Sequence, residues 1–283
     1  MKKNLKINTI LWLLVSALLA LVLLLIFIEM REHPEPVVVP ETENRDIVRT
    51  ERPAEKTIPR QHEPKVRVAI VIDDMGYDYR IFRKFMELGI PLTFSILPGE
   101  RFSSDIAQKA KLLNYEIMLH LPMEPRNLSR KLNNGTLLTK MSSDEMLRQL
   151  SKDIKAVPFV VGVNNHMGSL FTENRAGMTI VLKEMQKEGL FFLDSKTSPG
   201  SVAYETAKSI GIRSGRRDVF LDNKSDVRYI KGQIDKVIKI AKKKGEATAI
   251  GHPRPETVAA LREKIPDFEK EGIELVPVSE VLE

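Results

Sequence analysis

The chain contains no cysteine, which excludes disulfide staples and a thiolate nucleophile while leaving the compartment open. It also lacks a Gly-x-Ser-x-Gly elbow. Ser169 and Ser195 therefore read as turn hydroxyls rather than activated nucleophiles. No internal repeat is visible beyond an alternation of short apolar and amphipathic stretches. The formal net charge of +6 is dispersed among acids, and its densest run, Lys242-Lys243-Lys244, reads as the solvated end of a helix. Nucleic acid is therefore not an expected partner.

Charge is missing altogether from residues 10–28, a stretch close to the roughly 20 apolar residues that span a bilayer. Ile28 runs directly into Glu29-Met30-Arg31 without the small residues of a cleavage site, so an uncleaved anchor is expected. Lys2, Lys3 and Lys6 precede it, which assigns residues 1–9 to the cytoplasm and the remainder to the other side. Residues 29–66, rich in Pro, Glu and Arg, cannot bury enough apolar surface to fold and read as a linker. The expectation is a single-pass protein whose domain, residues 67–283, works in the periplasm or otherwise outside the cytoplasm, where envelope proteins are possible partners.

From residue 67 onward apolar runs suited to buried strands alternate with helical stretches, the pattern of a parallel β/α architecture. The expected strands cover 68–72, 92–97, 116–120, 159–163, 190–194, 219–221, 247–250 and 274–276. Helices are expected over 78–88, ending at Gly89-Ile90-Pro91, and over 143–155, opening on Ser142-Ser143-Asp144-Glu145. Residues 122–141 break the rhythm with several cations and Asn133-Asn134-Gly135, and are expected to cross the mouth of a barrel.

Polar residues collect at the ends of these runs. Asp73 and Asp74 follow an apolar strand; such a pair can divide cation binding from proton transfer, or one member can cap the next helix. His120, His166, Asp194 and His252 also follow strands, and in β/α barrels those ends converge on one face. Three of the five histidines thus share one expected face, while His33 and His62 lie in the linker.

The strings Val71-Ile72-Asp73-Asp74-Met75-Gly76, Leu119-His120-Leu121-Pro122-Met123-Glu124-Pro125, Asn165-His166-Met167-Gly168-Ser169, Phe192-Leu193-Asp194-Ser195, Arg217-Asp218-Val219-Phe220-Leu221-Asp222 and Ile250-Gly251-His252-Pro253 together resemble the divergent polysaccharide deacetylase family. That family is a branch of the metal-dependent carbohydrate esterases with a NodB-type domain. The resemblance implies a distorted β/α barrel that removes acyl groups from an N-acetylated polysaccharide with a divalent metal, commonly zinc. By similarity Asp74 would bind the metal, Asp73 would be the general base, and His252 the general acid, positioned by Asp194. His120 matches the first histidine of a metal-binding His-x-x-x-His motif, whose second position here is Glu124. Glu124 or, preferably, His166 would complete the shell. The arginine that orients the base in the larger group is absent, and Asn164, Asn165 or Arg217 would substitute by hydrogen bonding. Asp222 would bind substrate, brace the site, or cap and pair locally with Arg216 or Arg217. Loss of these motif elements leaves a second expectation, a catalytically weak barrel that binds peptidoglycan or another envelope glycan.

Overall fold

The computed structural model describes residues 66–127 and 131–283. The expected anchor and all but the last residue of the linker lie outside the described residues. Among the described residues no helix is long and apolar enough to cross a membrane. Nine strands form one sheet: β1 (Val66–Met75), β2 (Thr93–Ile96), β3 (Glu116–Met123), β4 (Gly162–Met167), β5 (Phe191–Asp194), β6 (Ser214–Arg216), β7 (Val219–Phe220), β8 (Glu246–Gly251) and β9 (Ile273–Val276). Seven helices accompany them: α1 (Tyr79–Met86), α2 (Ser103–Leu112), α3 (Ser143–Ala156), α4 (Arg175–Lys187), α5 (Ala203–Ile210), α6 (Val227–Lys244) and α7 (Pro255–Lys270).

All pairings between these strands are parallel, in the order β6-β5-β4-β3-β2-β1-β8-β7. This is the circular order of a barrel with one pairing missing, between β6 and β7. The expected barrel is thus a curled half-barrel, open where Arg217-Asp218 joins two strands of three and two residues. The missed strand β6 is Ser-Gly-Arg, which carries no apolar run to announce it. β9 pairs with the first half of β1 and β2 with the second, so both share the edge opposite β8.

Side chains alternate between the faces of a strand, and β1 sorts its residues accordingly. Val68, Ile70 and Ile72 join a cluster with helical residues such as Phe82, Phe85, Ile106 and Val181. Ala69 and Val71 join a second cluster with Met118, Phe191, Leu193 and Ile250. The second cluster is completed by Val276, Val278 and Val281, so the C-terminal segment fills the concave face below the strand ends. Burying each large side chain contributes roughly 1.5–3 kcal/mol. Above this apolar plug the inner face turns polar.

Capping follows the sequence. Asp78 accepts from Arg80 N at 2.8 Å and caps α1, which frees Asp73 and Asp74 from that task. Ser142 and Glu145 form the expected capping box of α3.

Candidate metal centre

The inner face of each strand determines what reaches the site. On β3, His120 shares the parity of Met118, and on β4 Asn164 and His166 lie two residues apart. Each therefore points to the concave side. β4 begins and ends later than expected, which puts Asn164, Asn165 and His166 within the strand rather than after it. On β1, Asp73 follows Ala69 and Val71, but Asp74 would face the helices if alternation continued. It does not: Asp74 has φ 55°, and the register with β2 shifts between Ile72 and Met75. A bulge with one left-handed residue re-aims a side chain, and here it brings the second carboxylate to the side of the first. Gly76 at φ 135° completes the turn where a Cβ would lie 2.9 Å from Ser103 Oγ.

Asp74 Oδ1 lies 3.1 Å from His120 Nε2 and 2.9 Å from His166 Nδ1, and the two nitrogens are 3.2 Å apart. The three atoms form a nearly regular triangle. Ligand distances of about 2.0–2.1 Å around a tetrahedral zinc imply ligand atoms about 3.3 Å apart, so the set fits a small divalent cation with an open fourth position. Asp74 Oδ1 is buried, and the polar atoms that approach it are the two imidazole nitrogens, a donor set that a shared cation can satisfy. Glu124 is elsewhere: its Oε2 accepts from Thr139 N and Thr139 Oγ1, both at 2.6 Å. His166, not Glu124, joins the cluster.

Asn164 organises the triangle from behind. Its Nδ2 donates to Asp73 Oδ1 at 2.7 Å, so its Oδ1 must face the other way, where it accepts from Ser95 and lies 2.7 Å from His120 Nδ1. An amide oxygen only accepts; the His120 proton therefore sits on Nδ1 and the Nε2 lone pair faces Asp74 and His166. The bond from Asn164 to Asp73 is the one expected of a residue standing in for the absent arginine, whereas Ser95 and the contact of Asn164 with His120 are not foreseen from the sequence. The signal existed, since Ser95 is a lone hydroxyl between Phe94 and Ile96 and Asn164 is in phase with His166. Asn165 is turned away: its Oδ1 accepts from Ser195 N and its Nδ2 donates to Met167 O, tying β4 to the loop after β5.

Burial raises the Asp73 carboxyl above the usual range, against the pull of the His120 and His252 imidazoles and the Asn164 amide. For Asp74 the two histidines outweigh burial and hold its carboxyl well below that range. Burial disfavours a charged His120, but Asp73 and Asp74 raise its imidazole to about 9 when no cation competes. Protons and a cation held there would thus compete for the same lone pair.

His252 closes the site at 4.0 Å from Asp74 Oδ2 through Nε2. Its Nδ1 donates to Asp222 Oδ1 at 2.7 Å, and its backbone N and Thr257 Oγ1 both donate to Asp222 Oδ2 at 2.7 Å. Burial opposes the charged forms of both groups, yet their pairing lowers the Asp222 carboxyl and raises the His252 imidazole. The expected partner, Asp194, is not there. It has the parity of Phe192, which faces the helices, and accepts from Lys196 N and Ser201 Oγ, both at 2.7 Å. Four strands separate β5 from β8, whereas β7, which delivers Asp222, is β8's neighbour. Arg217 makes no hydrogen bond to Asp73 either. Its Nε and Nη2 donate to Ser195 O and Lys196 O, and its guanidinium covers the Phe220 ring at 3.7 Å, with Phe220 in turn stacked on His252.

The segment after β3 is bound back across the strand ends. Leu137 pairs with Met123, and Asn133 Nδ2 donates to Tyr77 Oη at 2.8 Å and to Glu100 Oε1 at 3.3 Å. It walls the side of the site where β1 and β2 end.

Comparison with known proteins agrees with this geometry. The family profile described as "Divergent polysaccharide deacetylase" matches residues 70–282. The uncharacterised protein YibQ of Escherichia coli is 35% identical over 216 residues, covering 76% of this chain and 67% of YibQ. An uncharacterised Haemophilus influenzae protein is 35% identical over 210 residues, 74% of either chain. Among solved structures, an uncharacterised protein from Agrobacterium tumefaciens superposes with a TM-score of 0.74 at 26% identity, covering 79% of this chain and 92% of that one. A CE4 family pseudoenzyme from Bacillus anthracis shares the fold, with a TM-score of 0.51 at 15% identity over 78% of this chain and 67% of its own. From the half-barrel that gathers Asp73, Asp74, His120 and His252 to the profile spanning nearly the whole described domain, the chain belongs to the divergent polysaccharide deacetylase family.

Proposed function

We propose that the protein is a metal-dependent hydrolase that removes N-acetyl groups from an envelope or extracellular polysaccharide. The observation that supports this most is the triangle of Asp74 Oδ1, His120 Nε2 and His166 Nδ1, beside a second carboxylate that takes no part in it. A divalent cation held by these three atoms, zinc from the donor set, supplies the Lewis acidity that polarises the acyl carbonyl and makes a water acidic. Asp73 takes the proton from the attacking water; its Oδ1 is fixed by Asn164, and burial makes it a stronger base than a surface carboxylate. His252 carries a proton on Nε2 to the departing amine while Asp222 holds Nδ1–H and favours the charged ring. Asp194 and Asn165 support the loop after β5, and Arg217 braces Phe220 against His252, outside the chemistry.

Residues 10–28 serve in this reading as a single membrane anchor, with the domain outside the cytoplasm and within reach of envelope glycans. The support is the uncharged run and the lysines before it. Protease accessibility of the domain in intact cells versus lysed cells tests that topology.

A second reading has one observation of its own: among the described residues no arginine hydrogen-bonds Asp73. In that reading the barrel binds glycan without turnover. The deciding experiment measures bound zinc and acetate release on a panel of N-acetylated oligosaccharides with purified full-length protein. Zinc near one equivalent with acetate release supports the hydrolase; zinc retained with no release across the panel removes it and leaves the binding module.

A further inference from the structure

A cavity of about 540 Å³ opens from the metal centre between α1 and the start of α7, with Asp74 and His252 at one end. That volume is typical of a small-ligand pocket, and none of the chemistry above uses it. Its lining includes Arg80, Lys84 and Arg254. Two of these placements are locally unfavourable. Arg80 and Lys84 are like charges four residues apart on one helix face, an arrangement that destabilises a helix. Arg254 occupies the N-cap of α7, where oxygen side chains are preferred and the helix dipole repels a cation, and it makes no capping bond. Locally unfavourable residues that converge on one cavity mark function rather than folding.

The charge of the three cations is only partly compensated. Of the two acids that line the cavity, Asp74 belongs to the triangle, and Asp78 caps α1 and also pairs with Arg80, accepting from Nε at 3.4 Å and Nη2 at 3.5 Å. Lys84 has no ion pair among the described residues. Arg254 is held in place by Nη1, which donates to Asp222 O at 2.7 Å and Ser225 Oγ at 3.1 Å, leaving the rest of the guanidinium for a ligand. Tyr77, half exposed, adds a ring against which a sugar can lie.

We infer that this cavity is a subsite for an anionic substituent, carboxylate or phosphate, on the glycan residue beside the one whose acyl group is cleaved. The inference rests on the hydrolase reading for the position of the acyl group, and on the three cations for the charge. Guanidinium and ammonium groups recognise either anion by charge-assisted hydrogen bonds. An acidic polysaccharide is then the preferred substrate class, and neutral chitin-like chains are poor ones.

The test is calorimetric titration of zinc-loaded full-length protein carrying Asp73→Asn, with three oligosaccharides of equal length. One is the neutral N-acetylglucosamine oligomer, the second a hyaluronan oligomer that alternates N-acetylglucosamine with glucuronate, and the third a 6-phosphorylated form of the first. At least one acidic oligomer is expected to bind about tenfold more tightly than the neutral one at low salt, and the tighter of the two identifies the anion. The combined variant Arg80→Gln, Lys84→Gln, on the solvent side of α1, is expected to erase the preference while neutral affinity stays unchanged; Arg254→Gln is expected to reduce it independently. Equal affinities, undetectable binding of both acidic oligomers, or a preference that survives both variants overturns the subsite. Acetate release by the parent protein is read separately. Acidic preference without release retains the subsite and removes the hydrolase, whereas release without preference does the reverse.

Discussion

The two imidazoles that flank Asp74 differ in what holds their far nitrogen. On the β3–β4 side, His120 gives its Nδ1 proton to the neutral Asn164 amide, so that its other nitrogen would meet a cation beside Asp74 and His166 as a lone pair. On the β7–β8 side, His252 gives its Nδ1 proton to the Asp222 carboxylate, which favours the protonated ring. In the proposed mechanism one residue type thus serves as cation ligand or as proton donor according to its hydrogen-bond partner. In both cases the partner comes from the adjacent strand, β4 beside β3 and β7 beside β8.

Substitutions can break this contrast, the severest first. Asp74→Ala or His120→Ala is expected to strip bound zinc and lower acetate release by about a thousandfold or more, since Lewis-acid chemistry has no substitute in the remaining residues; elemental analysis with an acetate assay checks it. Normal zinc in both variants would refute the triangle as a ligand set. Asp73→Asn is expected to keep the metal yet lose about 10²–10⁴-fold in turnover, the range for a positioned general base. Asn164→Ala strikes the orienting partner of the cation side and is expected to weaken zinc affinity about 10–100-fold, read by competition with a chelator.

The proton-donor side is expected to respond differently. Asp222→Asn keeps a hydrogen-bond acceptor for Nδ1 but removes the charge that raises the His252 imidazole above 6.5. The alkaline limb of kcat/KM is then expected to move to lower pH with zinc content unchanged; an unmoved limb would argue against His252 as the acid. The same charge affects stability. A histidine raised on folding contributes stability that is fully present below its unfolded value and is lost as pH rises through the folded one. The melting difference between parent and Asp222→Asn should therefore shrink toward alkaline pH. The smallest effect is expected for Glu124→Gln, which weakens two hydrogen bonds to Thr139 at a cost of about 1 kcal/mol. Zinc content in that variant stays at the parent level.

Much of this arrangement is legible in the sequence. The apolar runs located eight of the nine strands, because buried parallel strands read as continuous hydrophobic segments; they placed β4 too early, since it runs on through Asn164-Asn165-His166, and missed β6, where three polar or small residues pair solely because β5 lies alongside. The position of His166 just beyond an apolar run put it on the expected active face, and the family resemblance made it a ligand candidate. Asp194 shows where such reading stops. Its place at the end of Phe191-Phe192-Leu193 looks like that of Asp73 at the end of its own strand, but parity turns it toward the helix layer.

By itself, then, the sequence determined which residues stand at strand ends, since hydrophobic periodicity and turn chemistry are local properties of the chain. Tertiary structure decided which of them meet. Strand order set Asp222 rather than Asp194 beside His252, the long reach of the segment after β3 drew Glu124 to Thr139, and a left-handed Asp74 carried its carboxylate across the strand to the two histidines. Each depends on contacts between residues far apart in the chain, and a period of two or 3.6 residues carries no information about them.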